Sequence, residues 1–173
     1  MGKGLLIVNT GNGKGKTTAA LGLALRALGH GLPVSIIQFI KGTWKYGELF
    51  SVKRFEDLLD FHVMGKGFVW KAENAHRHNK AAQDAWALAK KSLKAKKYRV
   101  VVLDELTYCM HYGFIPEAEV VDVLCRRRKD LHVVVTGRDA PKTLIDAADL
   151  VTEMREIKHP FQNGIKGQKG IEF

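Results

Sequence analysis

The residues best suited to chemistry form one run, Thr10-Gly-Asn-Gly-Lys-Gly-Lys-Thr-Thr18, between an apolar segment and a helical pattern. Gly11, Gly13 and Gly15 let the backbone turn tightly and aim its N–H groups inward, a nest for anionic oxygens. The N-terminus of the helix that follows adds partial positive charge. Lys16 can reach phosphate oxygens as a point charge, and the Thr17 hydroxyl can ligate Mg²⁺. The run is a variant of the phosphate-loop pattern G-x-x-x-x-G-K-[ST], with Thr10 where the first glycine is expected. Thr10, Gly11, Asn12, Gly13, Lys14, Gly15, Lys16, Thr17 and Thr18 are therefore read as a triphosphate-binding loop. A dinucleotide fingerprint fits less well, because Lys16 stands where G-x-G-x-x-G needs its third glycine.

A phosphate loop needs a carboxylate from a neighbouring strand. Val100-Val-Val-Leu-Asp104-Glu105 supplies two candidates at the end of an apolar run. Mg²⁺ (or Mn²⁺) favours oxygen ligands, so Thr17, Asp104 and Glu105 are the expected metal set. These motifs specify a nucleoside-triphosphate site without specifying its reaction. Glu105 could serve as the base or water-orienting residue of an ATPase or kinase.

Six short runs read as strands that could position these residues: Leu5–Asn9, Val34–Phe39, Phe61–Met64, Val100–Leu103, His132–Thr136 and Leu150–Glu153. Most are continuously apolar, as in strands covered on both faces. Helical patterns lie between them at Lys16–Leu28, Ala75–Lys97, Glu117–Arg127 and Pro141–Ala148. Ala82, Trp86, Ala89 and Leu93 make one apolar stripe on the second of these. The alternation predicts a single α/β domain over residues 1–173, a mostly parallel sheet with helices on both faces. Ligands in such sheets gather beyond the carboxyl ends of the strands. That places interest on Thr10–Thr18, Lys41–Gly47, Gly65–Trp70, Asp104–Thr107, Gly137–Asp139 and the tail after Arg155.

Length and composition agree with one domain: 173 residues, 46% of them hydrophobic, can fill one core. The formal charge is +10, but nine cations lie in two acid-free stretches, the five lysines of Lys90–Lys97 and Arg126–Lys129. Both stretches fall at predicted helix C-termini, where cations suit the helix dipole. They also allow an anionic partner, either nucleic acid or an acidic electron donor. The absence of interleaved aromatics argues against a stacking platform for single strands, so nucleic acid is not the expected partner. Cys109 and Cys125 form no C-x-x-C pair, which argues against a zinc ribbon or disulfide scaffold and suits a cytoplasmic protein. No apolar run approaches the ~20 residues of a membrane span. His76 and His78, two apart at a helix start, point to different faces and are expected to be solvated rather than a metal pair.

Around these motifs the chain resembles the P-loop, RecA-like family of ATP:corrinoid adenosyltransferases. The resemblance lies in Thr10–Thr18, Gln38-Phe-Ile-Lys-Gly42, Met64-Gly-Lys-Gly-Phe-Val-Trp70, Val102-Leu-Asp-Glu-Leu-Thr-Tyr108, Thr136-Gly-Arg138, Lys158-His-Pro-Phe161 and Gly170-Ile-Glu-Phe173, nearly the whole chain. It implies transfer of the 5′-deoxyadenosyl group of ATP to the cobalt of cob(I)alamin or a related reduced corrinoid, with release of triphosphate. It implies that Thr17 and Glu105 bind the metal, that Arg26 and Arg138 reach the nucleotide, and that Phe68 and Trp70 contact the corrin and displace its lower axial ligand. It further implies a homodimer and a flavoprotein reductant. Family members often carry an extension before the first strand that helps cover the nucleotide. Here the first strand is predicted from Leu5, so shielding is expected from the tail or a partner subunit. The alternatives that the motifs leave open are a P-loop ATPase acting on nucleic acid and a nucleoside kinase.

Overall fold

The six apolar runs form six parallel strands: β1 (Leu6–Thr10), β2 (Val34–Gln38), β3 (Leu59–Val63), β4 (Val100–Asp104), β5 (His132–Thr136) and β6 (Leu150–Glu153). They make one sheet in the order β3-β2-β4-β5-β1-β6, and every pairing is parallel. The computed structural model describes residues 2–42, 46–67 and 75–172. The helices are α1 (Lys16–Gly29), α2 (Glu48–Ser51), α3 (Ala75–Lys94), α4 (Leu106–His111), α5 (Glu117–Cys125) and α6 (Lys142–Ala147), with 3₁₀ turns at Val52–Phe55 and Pro160–Asn163.

Both faces of the central strands β1, β2, β4 and β5 are covered, which is why they read as nearly unbroken apolar runs, whereas edge strand β6 is exposed along its length. Leu6, Val8, Ile37, Val101, Leu103, Val133 and Val135 face α3, α4, α5 and α6. Ile7, Val34, Ile36, Val100, Val102 and Val134 face α1 and the turn at Val52–Phe55. On α1 the buried residues are Ala20, Ala24, Ala27 and Leu28, and their mostly small side chains let the helix lie close to the sheet. The expected stripe on α3 is buried as Ala82, Ala85, Trp86, Ala89 and Leu93. Trp86 Nε1 donates to Glu119 at 2.8 Å, tying α3 to α5.

The long helices stop earlier than their patterns suggest, α3 at Lys94 and α5 at Cys125, because each chain must turn to enter the next strand. His78 is a correction. It is only 9% exposed, buried on α3 rather than solvated. The two basic stretches lie at the amino ends of β4 and β5, the end of the sheet opposite the loop, and much of their charge is matched locally. Lys90 pairs with Glu119 at 2.8 Å, Lys97 with Asp60 at 2.7 Å, Arg126 with Asp122 at 2.8 Å and Arg127 with Asp149 at 3.0 Å. Among the described residues, no helix is long and apolar enough to cross a membrane.

Beyond the carboxyl ends of β2 and β3 two segments run in contact. Met64 N–H donates to the Gln38 carbonyl at 3.0 Å and Gly67 N–H to that of Ile40 at 2.9 Å. A Cβ on Gly65 would lie 2.1 Å from the Ile40 carbonyl carbon, so glycine is what permits this approach.

Candidate active site

The loop leaves β1 at Thr10 and enters α1 at Lys16. Gly11 and Gly15 take left-handed conformations at φ 93° and 112°, which glycine adopts without a Cβ penalty. The segment after β6 packs directly on this turn: Gly13 N–H donates to the Met154 carbonyl at 2.7 Å, and Met154 N–H to that of Thr10 at 2.8 Å. Lys16 Nζ folds back to donate to the carbonyls of Gly11 and Gly13, both at 2.6 Å. Partial burial, followed by the nearby charge of Arg138, holds the Lys16 ammonium below the usual lysine range.

Thr17, on the first turn of α1, donates from Oγ1 to Asp104 Oδ1 at 2.8 Å. The same oxygen accepts from Thr136 Oγ1 at 2.7 Å, while Asp104 Oδ2 accepts from Gln38 Nε2 at 2.9 Å. Asp104 is 1% exposed, with both oxygens committed to side-chain donors. It is joined to Thr17 and is not among the residues that line the cavity described below. Glu105 differs. Its backbone sits at φ 65°, a costly conformation for a residue with a Cβ, and its N–H donates to Thr136 Oγ1 at 2.9 Å. Among the described residues, its buried Oε2 has no hydrogen-bond partner. Burial first, then the neighbouring charge of Asp104, pushes its carboxyl up to about 7. A carboxylate oxygen without a hydrogen-bond partner and a threonine hydroxyl that donates its hydrogen to Asp104 line the same cavity, an oxygen donor set that fits Mg²⁺ or Mn²⁺.

These groups open on a cavity of about 990 Å³. Its polar end holds Asn12 to Thr18, Lys41, Glu48, Glu105 and Arg138, while Leu21, Leu25, Leu28, Val52 and Phe55 line an apolar flank along α1. Gly170, Ile171 and Glu172 of the tail close one side, and Lys14 pairs with Glu172. The structure thus brings the loop residues, Glu105 and Arg138 together. It does not bring Arg26. That residue is exposed near the far end of α1, ten residues from Lys16 and so about 15 Å along the axis, and does not line the cavity. Phe68 and Trp70 lie outside the described residues.

Gln38, Thr136 and Tyr46 carry no catalytic signature in the sequence, yet all three are buried and joined to Asp104 directly or through one neighbour. A glutamine closing an otherwise apolar strand, Val34-Ser-Ile-Ile-Gln38, was the available signal. Pairing it with Asp104 required the sheet order, in which the two are register partners.

The family model described as ATP:corrinoid adenosyltransferase BtuR/CobO/CobP matches residues 2–173. A corrinoid adenosyltransferase of Sinorhizobium is 46% identical over 99% of this chain and 81% of its own length. Those of Pseudomonas aeruginosa and Escherichia coli K12 are 44% and 43% identical, each over 99% of this chain and, respectively, 84% and 86% of their own lengths. Among solved structures, the flagellar accessory protein FlaH from Methanocaldococcus jannaschii aligns at TM-score 0.59 and 13% identity. That alignment covers 88% of this chain and 72% of FlaH, a likeness of fold alone. With a phosphate loop on a parallel α/β sheet and this match along its length, the chain belongs to the family of ATP:corrinoid adenosyltransferases.

Proposed function

We propose that this transferase moves the 5′-deoxyadenosyl group of ATP onto the cobalt of cob(I)alamin or a related corrinoid, releasing inorganic triphosphate. The observation that carries the reading is the cavity in which the phosphate loop, Glu105 and Arg138 share a lining with Leu21, Leu25, Leu28, Val52 and Phe55, of a size that takes a nucleotide. The cobalt(I) electron pair forms the bond to C5′ as the C5′–O bond breaks, and that oxygen leaves with its electrons on the triphosphate. The nucleophile carries no proton, so no general base is needed. The protein's task is to grip the leaving group: loop N–H groups and Lys16 face the charge that develops there, a preorganised electrostatic contribution. Thr17 and Glu105 would hold Mg²⁺ or Mn²⁺, which when bound neutralises triphosphate charge.

Product analysis tests the reaction. With ATP and chemically reduced cob(I)alamin, the expected products are adenosylcobalamin and triphosphate in equal amounts. ADP with free phosphate would indicate an ATPase, and ADP with a phosphorylated nucleoside a kinase.

Phe68 and Trp70 are proposed, from the family resemblance, to wall the corrin and displace its lower axial ligand, which eases reduction of cobalt(II). Alanine at either position is expected to depress activity from cob(II)alamin with a mild reductant far more than activity from prepared cob(I)alamin. An unchanged ratio in a folded variant removes the role.

The protein is further proposed to work as a cytoplasmic homodimer supplied with electrons by a flavoprotein. The edge strand β6, with Leu150 49% exposed, is consistent with a second copy. The reductant would approach the cavity end of the sheet, because the basic stretches lie at the other end and much of their charge is matched there.

A further inference from the structure

Tyr46 stands between β2 and α2, away from the phosphate loop, yet it is 6% exposed and its hydroxyl donates to Gln38 Oε1. From there the bonds converge on Asp104. Gln38 Nε2 donates to Asp104 Oδ2 at 2.9 Å, and Thr17 Oγ1 donates to Asp104 Oδ1 at 2.8 Å. Gln38 is fully buried and Asp104 nearly so, so neither can turn to water for a substitute partner. The Tyr46 proton also decides which way the Gln38 amide faces. With the phenol on the oxygen, the NH₂ group must meet the carboxylate. Tyr46 sits under a cavity residue as well: Lys41 Nζ lies 4.7 Å from its ring centroid and 3.7 Å from Glu48.

We infer that Tyr46, acting through Gln38, is a positioning residue for the divalent-cation site, fixing Asp104 so that the Thr17 hydroxyl keeps its lone pairs turned toward a cation bound with the triphosphate. The inference rests on the reading that Thr17 and Glu105 take a cation with ATP. Without the phenol, the buried Gln38 Oε1 has lost its donor. The amide shifts to recover one, which moves the Nε2 group that holds Asp104 Oδ2 and, with the carboxylate, the acceptor of the Thr17 hydroxyl. Losing the residue that holds a metal ligand typically weakens metal affinity by ~10–100-fold, and Tyr46 acts on that residue, Asp104, only through Gln38, so the low end of the range is the expected effect.

The test is titration of the full-length protein with Mn²⁺ at saturating ATP, without corrinoid, following free Mn²⁺ by electron paramagnetic resonance. Tyr46→Phe is expected to weaken Mn²⁺ binding by about 10-fold, while ATP binding in excess EDTA stays as in the wild type. Gln38→Met should weaken it at least as much, and the double variant no more than Gln38→Met alone, since Tyr46 works through Gln38. Unchanged Mn²⁺ affinity in Tyr46→Phe overturns the proposal, whether or not its unfolding temperature drops. Additive losses in the double variant overturn it too. Thr17→Ala separates the underlying reading: if that variant binds Mn²⁺ with ATP as tightly as the wild type, the cation reading falls and the proposal with it.

Discussion

Replacing Lys16 with alanine is expected to slow adenosyl transfer by about 10²–10³-fold, the loss typical of removing one preorganised electrostatic donor. Lys16 is the cation anchored within the loop itself, its Nζ reaching two loop carbonyls in the structure. The loop N–H groups that remain are dipoles, and one of them, Gly13 N–H, is already committed to Met154. Single-turnover rates with prepared cob(I)alamin give the chemical step without interference from cobalt reduction. The fold should survive, because α1 is held by Ala20, Ala24, Ala27 and Leu28 rather than by the loop. A folded Lys16→Ala enzyme with wild-type rate would reduce Lys16 to a brace for the turn.

Glu105→Gln is expected to make the protein more stable and the enzyme worse. The folded Glu105 carboxyl titrates at about 7, against 4.5 for an unburied glutamate. Between those values the folded state keeps a proton that the unfolded state has released, so stability falls as pH rises from 4.5 to about 7, then levels. At 1.36 kcal/mol per pH unit the fall is of order 3 kcal/mol. Glutamine has no such titration. Metal-free Glu105→Gln should therefore lack the decline and exceed the wild type above pH 7, as read by urea unfolding at a series of pH values. Turnover should drop by about 10²-fold or more as the cation loses its carboxylate. In the wild type, Mg²⁺ binding should release protons below pH 7 and tighten as pH rises toward it. Identical pH–stability curves for the two proteins would show that Glu105 is not the buried acid described here.

The strands were the most legible part of the fold, because burial on two faces leaves an apolar signature that needs no partner to interpret. The phosphate loop was equally plain, since its glycines and lysine act locally. What was hidden depends on neighbours. Helix α4, Leu-Thr-Tyr-Cys-Met-His, is short and poor in strong helix formers. Leu106, Cys109 and Met110 are buried in the core against the sheet, so tertiary packing overrides weak propensity. Asp104 and Glu105 look alike in sequence, yet one is saturated by three side-chain donors while the other keeps a buried oxygen with no hydrogen-bond partner among the described residues, a distinction made by Thr17, Gln38 and Thr136 arriving from three other elements. Arg26 was expected at the nucleotide by resemblance, but its side chain is exposed and does not line the cavity, although its neighbours Leu25 and Leu28 do. The pairing of Lys14 with Glu172 joins residues near opposite ends of the chain, which no local pattern encodes.

The inward fold of Lys16 has a consequence for discrimination among ligands. Its ammonium is already satisfied by the Gly11 and Gly13 carbonyls, so an arriving molecule must offer something better before the side chain will let go. A polyphosphate can, since its oxygens carry full charges. An uncharged nucleoside cannot, and must bind, if at all, with the lysine still turned inward and the nest obstructed. The loop therefore sorts candidates by charge ahead of any contact with the base, and adenosine should compete poorly with ATP even where its purine fits. Selectivity for the triphosphate end is in this sense a property of how the loop closes on itself.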